Sequence, residues 1–351
     1  MQLVTNVCRN IFKYRRKLDF FVQPQSRRAS QENPRLRILF FGTDNFSLPS
    51  LRTLNESSKH GGIVSSLEVV TSFRAKRNPL KKYAEVEKLP LHDWPLQDPA
   101  VIAKKFDLGV VVSFGHLIPE NLITSFRRGM LNVHASLLPK LRGAAPIVHA
   151  IRNGDIETGV TIMKIKPLHF DIGEILKQEK VDIPKDMLMP ELHEKLANLG
   201  AVTLLHCIEN LDHVYRVQIS QNDQEATYAP KINTQFAEVR WSEMSAKQVY
   251  DLYRSLYSYK QPTTRLGSGE PVKLFKLQFD ADENDDSSDC TSPGHIKYCR
   301  RRKRLLVCCS DGRLVSIEQL AIGGKKVMSA QEFYNGFLSK LASSERVFTC
   351  R

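Results

Sequence analysis

Apolar and polar positions along the chain fall into three regimes. Continuous apolar runs, "LRILFFG" (36–42), "SLEVVTSF" (66–73), "DLGVVVSFG" (107–115), "MLNVHAS" (130–136) and "TGVTIMKI" (158–165), end at glycine or at polar residues. Stretches with helical spacing at 46–59, 78–89, 120–127 and 145–153 separate several of them. Strands that are apolar on both faces and alternate with helices predict an α/β domain whose mostly parallel sheet is covered on both sides, Rossmann-like in outline. A long amphipathic helix is expected at 184–211, followed by the polar stretch "QISQNDQEATYAPKIN" (218–233). After it come a helix at 245–257 and short strands at 271–279, 304–309 and 312–322, the pattern of a smaller β-barrel, OB-like in class. The expected division is a leader at 1–35, an α/β domain at 36–216, a linker at 217–233 and a C-terminal barrel at 234–351.

One strand breaks the pattern. In "LNVHASLLPKLRGAAP" (131–146), Asn132, His134 and Ser136 alternate with apolar residues and so share one face. Strands of a parallel sheet are normally apolar on both faces. Ligands of open α/β sheets bind beyond the carboxyl ends of the strands, which is where this polar face should lie. Residues alone leave two readings open, a binding face or a buried histidine and asparagine satisfied by neighbouring backbone. Asp171, in the turn-like "DIG" of 171–173, reads by itself as an ordinary turn residue. Pro146 sits where a helix would begin. Gly42 follows the first strand without a G-x-G-x-x-G, which argues against a dinucleotide site. Ser136 lacks the G-x-S-x-G elbow of a serine hydrolase.

Charge adds the next distinction. The net charge is +13, but residues 1–38 hold 9 basic and 2 acidic side chains, residues 39–229 hold 22 of each, and residues 230–351 hold 20 and 14. A neutral middle between basic ends points to separate roles for the three parts. The first 35 residues mix Arg and Lys with Val, Ile, Leu and Phe and carry only Asp19 and Glu32, the composition of a mitochondrial transit peptide. Six acids of the tail crowd into "DADENDDSSD" (280–289), leaving the rest of it strongly basic. Seven cysteines without a C-x-x-C pair predict neither a disulfide framework nor a zinc site, and most read as plain thiols. No apolar run reaches the roughly 18 residues of a membrane span.

The stretch "NVHASLLPKLRGAAPIVHAIRNGDIETGVTIM" (132–163) resembles the signature of the folate-dependent formyltransferases, and "FDIG" (170–173) is similar to the motif that supplies their aspartate. The resemblance extends through "RILFFGTDNF" (37–46), "SFGHLIP" (113–119), "TYAPKI" (227–232) and "GGKKVMSAQEF" (323–333), and so covers about residues 36–335. It implies an enzyme that moves a formyl group from 10-formyltetrahydrofolate to an amine without a metal. It assigns catalysis to Asn132, His134 and Asp171. Ser136, Leu137, Leu138 and Pro139 become the folate-side loop, with Phe114 and Gly115 near the pterin. The chemistry suits these residues. An α-amino group is partly neutral in the cell and can attack the formyl carbon. The Asn132 amide and a His134 N–H are donors for the oxyanion, and Asp171 can relay the amine's proton through water. Arg142 is either structural or part of the site.

Within the family, the basic β-rich tail favours the α-amino group of methionyl-tRNA over a ribonucleotide amine or an amino sugar. Lys and Arg hold phosphates through salt-sensitive electrostatics. Candidate tRNA contacts are Arg74, Lys76 and Arg77 in "RAKRNPLKK", then Lys231, Arg300, Arg301, Arg302, Lys325 and Lys326. The leader places the reaction in the mitochondrial matrix, and nothing requires more than a monomer. The sequence departs from the family at Asp44, where proline is usual, at one extra residue before Asp171, and in the loop around Arg74. A noncatalytic RNA-binding relative is the alternative from another class; retention of Asn132, His134 and Asp171 argues against it.

Overall fold

The computed structural model of the protein describes residues 34–74, 78–167, 170–279 and 292–350. Residues 1–33 of the expected leader, Lys76, Arg77 and the acidic stretch 280–289 lie outside the described residues.

Five strands, β1 (Leu36–Gly42), β2 (Val64–Thr71), β3 (Leu91–Asp93), β4 (Leu108–Val112) and β5 (Met130–His134), pair in parallel. Two more, β6 (Glu157–Lys164) and β7 (Ile175–Asp182), continue the sheet antiparallel, in the order β3-β2-β1-β4-β5-β6-β7. β1 explains the apolar pattern directly, since every residue of it except Arg37 is buried. The connections are α1 (Leu48–Lys59), α2 (Pro79–Glu87), α3 (Pro99–Ala103), α4 (Glu120–Ile123) and α5 (Pro146–Asn153). Proline opens most of them, where a missing N–H costs nothing. Asn78 caps α2 by accepting from the N–H groups of Leu80 and Lys81, and its amide donates to Thr71 Oγ1 at 2.7 Å, which ties the helix to β2. Chain order reverses between β1 and β4, the kind of switch point beside which such sheets bind ligands.

The short β3 and α3 had no clear signal in the sequence, and α4 is shorter than the expected 120–127. Only the start of β7 is apolar; its middle, Lys177–Lys180, is polar and lies at a sheet edge. The long helix α6 (Met189–Glu209), followed by α7 (Leu211–Arg216), backs the sheet. A Cβ on Gly200 of α6 would come within 2.7 Å of Val133 Cγ1. The helix therefore closes on β5 from the side opposite Asn132 and His134.

Contacts divide the described chain into two compact units. The first holds the residues up to Pro146, Glu157–Asp182 and His193–Pro230; the second holds Ile147–Ile156, Ile183–Leu192 and Lys231 onward. The second contains β8 (Thr263–Leu266), β9 (Pro271–Gln278), β10 (Ile296–Cys299), β11 (Arg304–Cys308), β12 (Leu314–Ile322), β13 (Met328–Ser329) and β14 (Phe348–Thr349). These pair antiparallel in the order β10-β11-β12-β9-β8-β14, with β13 on β12. The two ends of that order meet. Ile296 N–H donates to Arg346 O and Phe348 N–H to Gly294 O, both at 2.8 Å, with a bridge between His295 and Val347. These bonds close the sheet into a barrel.

Two helices of this unit, α8 (Ala246–Leu256) and α9 (Ala330–Gly336), start with capping boxes, Ser245 with Gln248 and Ser329 with Glu332. Trp241 stacks on Phe348 and donates to Thr264 Oγ1 at 2.9 Å inside the barrel. Among the described residues Cys207, Cys299, Cys309 and Cys350 are free thiols, in line with the expectation that most cysteines are plain thiols, and Cys308 is disulfide-bonded.

Candidate active site

Asn132 and His134 stand on one face of β5 at its carboxyl end, and the loop carrying Asp171 reaches them from between β6 and β7. Asn132 Nδ2 lies 3.4 Å from Asp171 Oδ1, and His134 Nδ1 lies at the same distance from the same oxygen. The other carboxylate oxygen, Oδ2, accepts the Gly143 N–H at 2.8 Å. Three side chains that sequence could only suggest separately therefore converge on one point.

The tautomer of His134 follows from its second contact. Nε2 faces Leu141 O at 3.0 Å, and a carbonyl can only accept, so Nε2 carries a proton. Nδ1 is then the nitrogen free to exchange a proton with the Asp171 side. His134 is buried, while Asn132 and Asp171 are partly exposed. The surface of the site is therefore amide and carboxylate, with the imidazole held behind them.

Ser136 lies past the end of β5 and serves the loop. Its hydroxyl donates to Lys140 O at 2.6 Å, and its carbonyl accepts from Thr161 Oγ1, also at 2.6 Å. Thr161 Oγ1 accepts in turn from Leu138 N–H and from Gln178 Nε2, and Gln178 Nε2 donates to Leu138 O as well. Leu138 is buried against Met163 and Ile175, Leu137 is half-buried, and the Leu138–Pro139 peptide is cis. The loop from Ser136 to Pro139 is thus a shaped wall whose hydroxyl proton is already committed.

Phe114 is a core residue, packed edge to face against Phe41, Trp94 and His116 with ring centroids 5.6, 5.1 and 5.0 Å away. Gly115 is exposed with φ of +73°. Of this pair, only Gly115 presents its backbone at the surface.

Asp171 itself has φ of +57°, the left-handed region that disfavours most side chains. Two residues on, a Cβ at Gly173 would stand 1.5 Å from Lys164 O, so no side chain fits there. Gln221 Nε2 donates to Asp171 O at 2.9 Å and to Gly173 O at 2.8 Å. Gln221 Oε1 accepts from Arg142 Nε at 3.0 Å and Nη2 at 2.8 Å, and Arg142 Nη2 also reaches Asp223 Oδ1 at 2.7 Å. Arg142, left open by the sequence, is buried and makes these contacts behind the loop.

The polar stretch expected as a linker is stitched to the site loops. Arg142 N–H donates to Thr227 O, Ala229 N–H to Arg142 O and Leu141 N–H to Thr227 Oγ1, all within 2.7 to 2.8 Å. Ile175 and Ile219 exchange both backbone hydrogen bonds. Gly143, Gln221 and Thr227 were not anticipated from sequence. Gly143 and Thr227 fall inside resembling motifs, whereas nothing marks Gln221.

The candidate tRNA contacts are dispersed. Arg74 and Lys231 are exposed in loops of the first and second unit respectively. Arg300 and Arg301 are exposed and Arg302 half-buried in the turn between β10 and β11. Lys325 and Lys326 are exposed in the turn after β12, where Lys325 Nζ sits 4.7 Å from the Phe337 ring centroid. Among the described residues, no group of three or more His, Cys, Asp or Glu could hold a metal ion, and no helix is long and apolar enough to cross a membrane.

Comparison with known proteins bears on the family and the fold. Residues 36–208 match the formyl transferase family and residues 231–338 match the formyl transferase C-terminal domain. The human mitochondrial methionyl-tRNA formyltransferase is 38% identical over 316 residues, covering 88% of this chain and 79% of the human one. The methionyl-tRNA formyltransferase of Moorella thermoacetica is 32% identical over 322 residues, covering 86% and 96%. Among solved structures, WlaRD, a sugar 3N-formyl transferase crystallised in the presence of dTDP and 5-N-formyl-THF, aligns with a TM-score of 0.60 at 16% identity, over 84% of this chain and all of that one. HypX from Aquifex aeolicus, in complex with tetrahydrofolic acid, aligns with a TM-score of 0.56 at 18% identity over 87% of this chain. The aligned part is 48% of HypX, so this chain spans about half its length. At such identities the two structures speak for the fold alone.

Proposed function

This chain belongs to the formyl transferase family, and from that premise we propose that it formylates methionyl-tRNA, taking the formyl group from 10-formyltetrahydrofolate in the mitochondrial matrix. The observation that carries the proposal is the convergence of Asn132, His134 and Gly143 on the Asp171 carboxylate. An amide and a carboxylate side by side at an open surface fit the needs of an acyl transfer to an amine. One offers N–H groups to an oxygen that becomes negative; the other takes a proton from the nitrogen that attacks.

The folate co-substrate supplies the activated formyl group. The Asn132 amide has two N–H groups and donates the one not aimed at Asp171 to the formyl oxygen as charge develops there. Asp171 Oδ1 accepts the proton that the attacking α-amino nitrogen gives up, and returns it to the nitrogen from which the formyl group departs. His134, its Nε2–H fixed on Leu141 O, holds or passes that proton through Nδ1. The Ser136–Pro139 loop and Gly115 form the wall on the folate side. Exposed Arg74, Lys231, Arg300, Arg301, Lys325 and Lys326, with Arg302, attract the tRNA phosphates.

A formyl-transfer assay offering methionyl-tRNA, free methionine and a small amine tests the reading. Transfer confined to methionyl-tRNA is expected, and equal transfer to the small amines would overturn it. Localisation is tested separately. Residues 1–35 fused to a reporter should carry it into mitochondria, and a diffuse cytosolic signal would refute the leader.

A further inference from the structure

The groups around Asp171 divide into those that meet its carboxylate and those that hold its backbone. We propose that Gln221 is a positioning residue, which sets the Asp171 carboxylate for proton transfer by clamping the backbone on both sides of it. The proposal rests on the formyl-transfer reading of the site.

Three observations point to Gln221. Its Nε2 donates to the carbonyls of both Asp171 and Gly173, two residues apart, so it spans the turn at whose start Asp171 sits. That turn is a sharp one, with Asp171 at a left-handed φ of +57° and Gly173 packed against Lys164 O, so bonds to its carbonyls bear directly on where the carboxylate points. Gln221 is itself immobilised, since Oε1 accepts two bonds from Arg142, whose guanidinium is buried and also anchored to Asp223. Every polar atom of the amide is thereby engaged, which fixes which end is nitrogen. Arg142 can only donate, so the oxygen faces Arg142 and the nitrogen faces the two carbonyls.

The next residue along closes the loop of contacts. Gly143 follows Arg142 and gives its N–H to Asp171 Oδ2. Arg142 thus holds Asp171 twice, through Gln221 to the backbone and through its chain neighbour to the side chain. Asn132 and His134 meet the carboxylate at 3.4 Å, a separation at which a displacement of about 1 Å decides whether a proton can pass. Gln221 touches neither the carboxylate nor any group assigned to the substrates, so its effect is exerted through the turn.

Two variants and two readouts test this. Gln221→Ala removes the whole clamp. Gln221→Glu keeps the shape and the Arg142 pairing but replaces the nitrogen with an oxygen that cannot donate to either carbonyl. Both should lower kcat for methionyl-tRNA formylation about 10- to 100-fold, with KM for either substrate changed less than threefold. The backbone amide resonance of Gly143 should also shift in both, reporting loss of its bond to Asp171 Oδ2. A residue needed only for packing or for pairing with Arg142 would be rescued by Glu. Wild-type kcat in either variant, or an unchanged Gly143 resonance, overturns the proposal. If the wild-type protein formylates no methionyl-tRNA, the functional reading fails, and the Gly143 resonance alone still decides whether Gln221 holds the turn.

Discussion

Removing the Asn132 side chain takes away the amide that faces Asp171, and its consequence should fall on the chemical step. Loss of one preorganised donor to a developing oxyanion costs about 10²–10³ in turnover. Asn132→Ala is therefore expected to lower kcat by that amount while thermal unfolding stays near wild type, because Asn132 is partly exposed and its bond to Asp171 is long. Stopped turnover with a simultaneous collapse of Tm would assign Asn132 to the fold instead. His134→Ala differs, since His134 is buried and bonded to Leu141 O. It should cut turnover severely and also cost about 1–3 kcal/mol in stability by leaving that carbonyl unpaired, measurable by denaturant unfolding. Retained turnover would remove it from the mechanism. At this scale the sequence was informative where residues broke a pattern. A polar face on an apolar strand drew attention to Asn132 and His134. Gln221 broke no pattern, being one polar residue in a polar stretch, and only its four hydrogen bonds single it out.

Helices and strands carry their own charged fasteners. In α8, Asp251 and Arg254 are both buried and meet at 2.6 Å, and Arg254 Nη1 also donates to Met187 O at 2.8 Å. Asp251→Ala leaves a buried guanidinium without its counter-charge, and should destabilise the protein by about 3–5 kcal/mol in equilibrium unfolding. A loss below 1 kcal/mol would mean that water reaches the pair. Between β1 and β4, Arg37 bonds Asp107 through its guanidinium and its backbone N–H. The Arg37 hydrogen bond, opposed by partial burial, holds the Asp107 carboxyl below the usual carboxylate range. A depressed carboxylate contributes stability that is complete above its unfolded value of about 3.9 and is lost as pH falls through the lower folded value. Acid unfolding of wild type should therefore steepen below about pH 4 relative to Asp107→Asn. Matching curves for the two proteins would contradict this.

The elements themselves were largely legible. Apolar runs marked β1 and β4 because strands buried on both faces have little room for polar residues. β7 was harder to see because an edge strand tolerates Lys and Glu along its length.

Across the whole molecule, charge is partitioned between the two ends of the sequence, and binding of tRNA should show it. Affinity of the full-length protein for methionyl-tRNA is expected to fall steeply between 50 and 200 mM salt, roughly tenfold or more for several phosphate contacts. Arg300→Gln with Arg301→Gln should flatten the dependence by up to two phosphate contacts; a salt-independent affinity would remove the electrostatic account. The sequence by itself determined the family and the alternation of strands and helices, and it singled out the three residues proposed to carry the chemistry. Those properties are written in local apolar periodicity and in motifs a few residues long. Tertiary structure alone decided that Asn132, His134 and Asp171 meet within 3.4 Å, that Nε2 of His134 carries its proton, and that residues 219–229 brace the site. It also decided how the barrel closes, at His295 and Val347. The physical reason is the same in each case: hydrogen bonds between residues tens of positions apart depend on sheet order and loop path, and neither leaves a periodic trace in the chain.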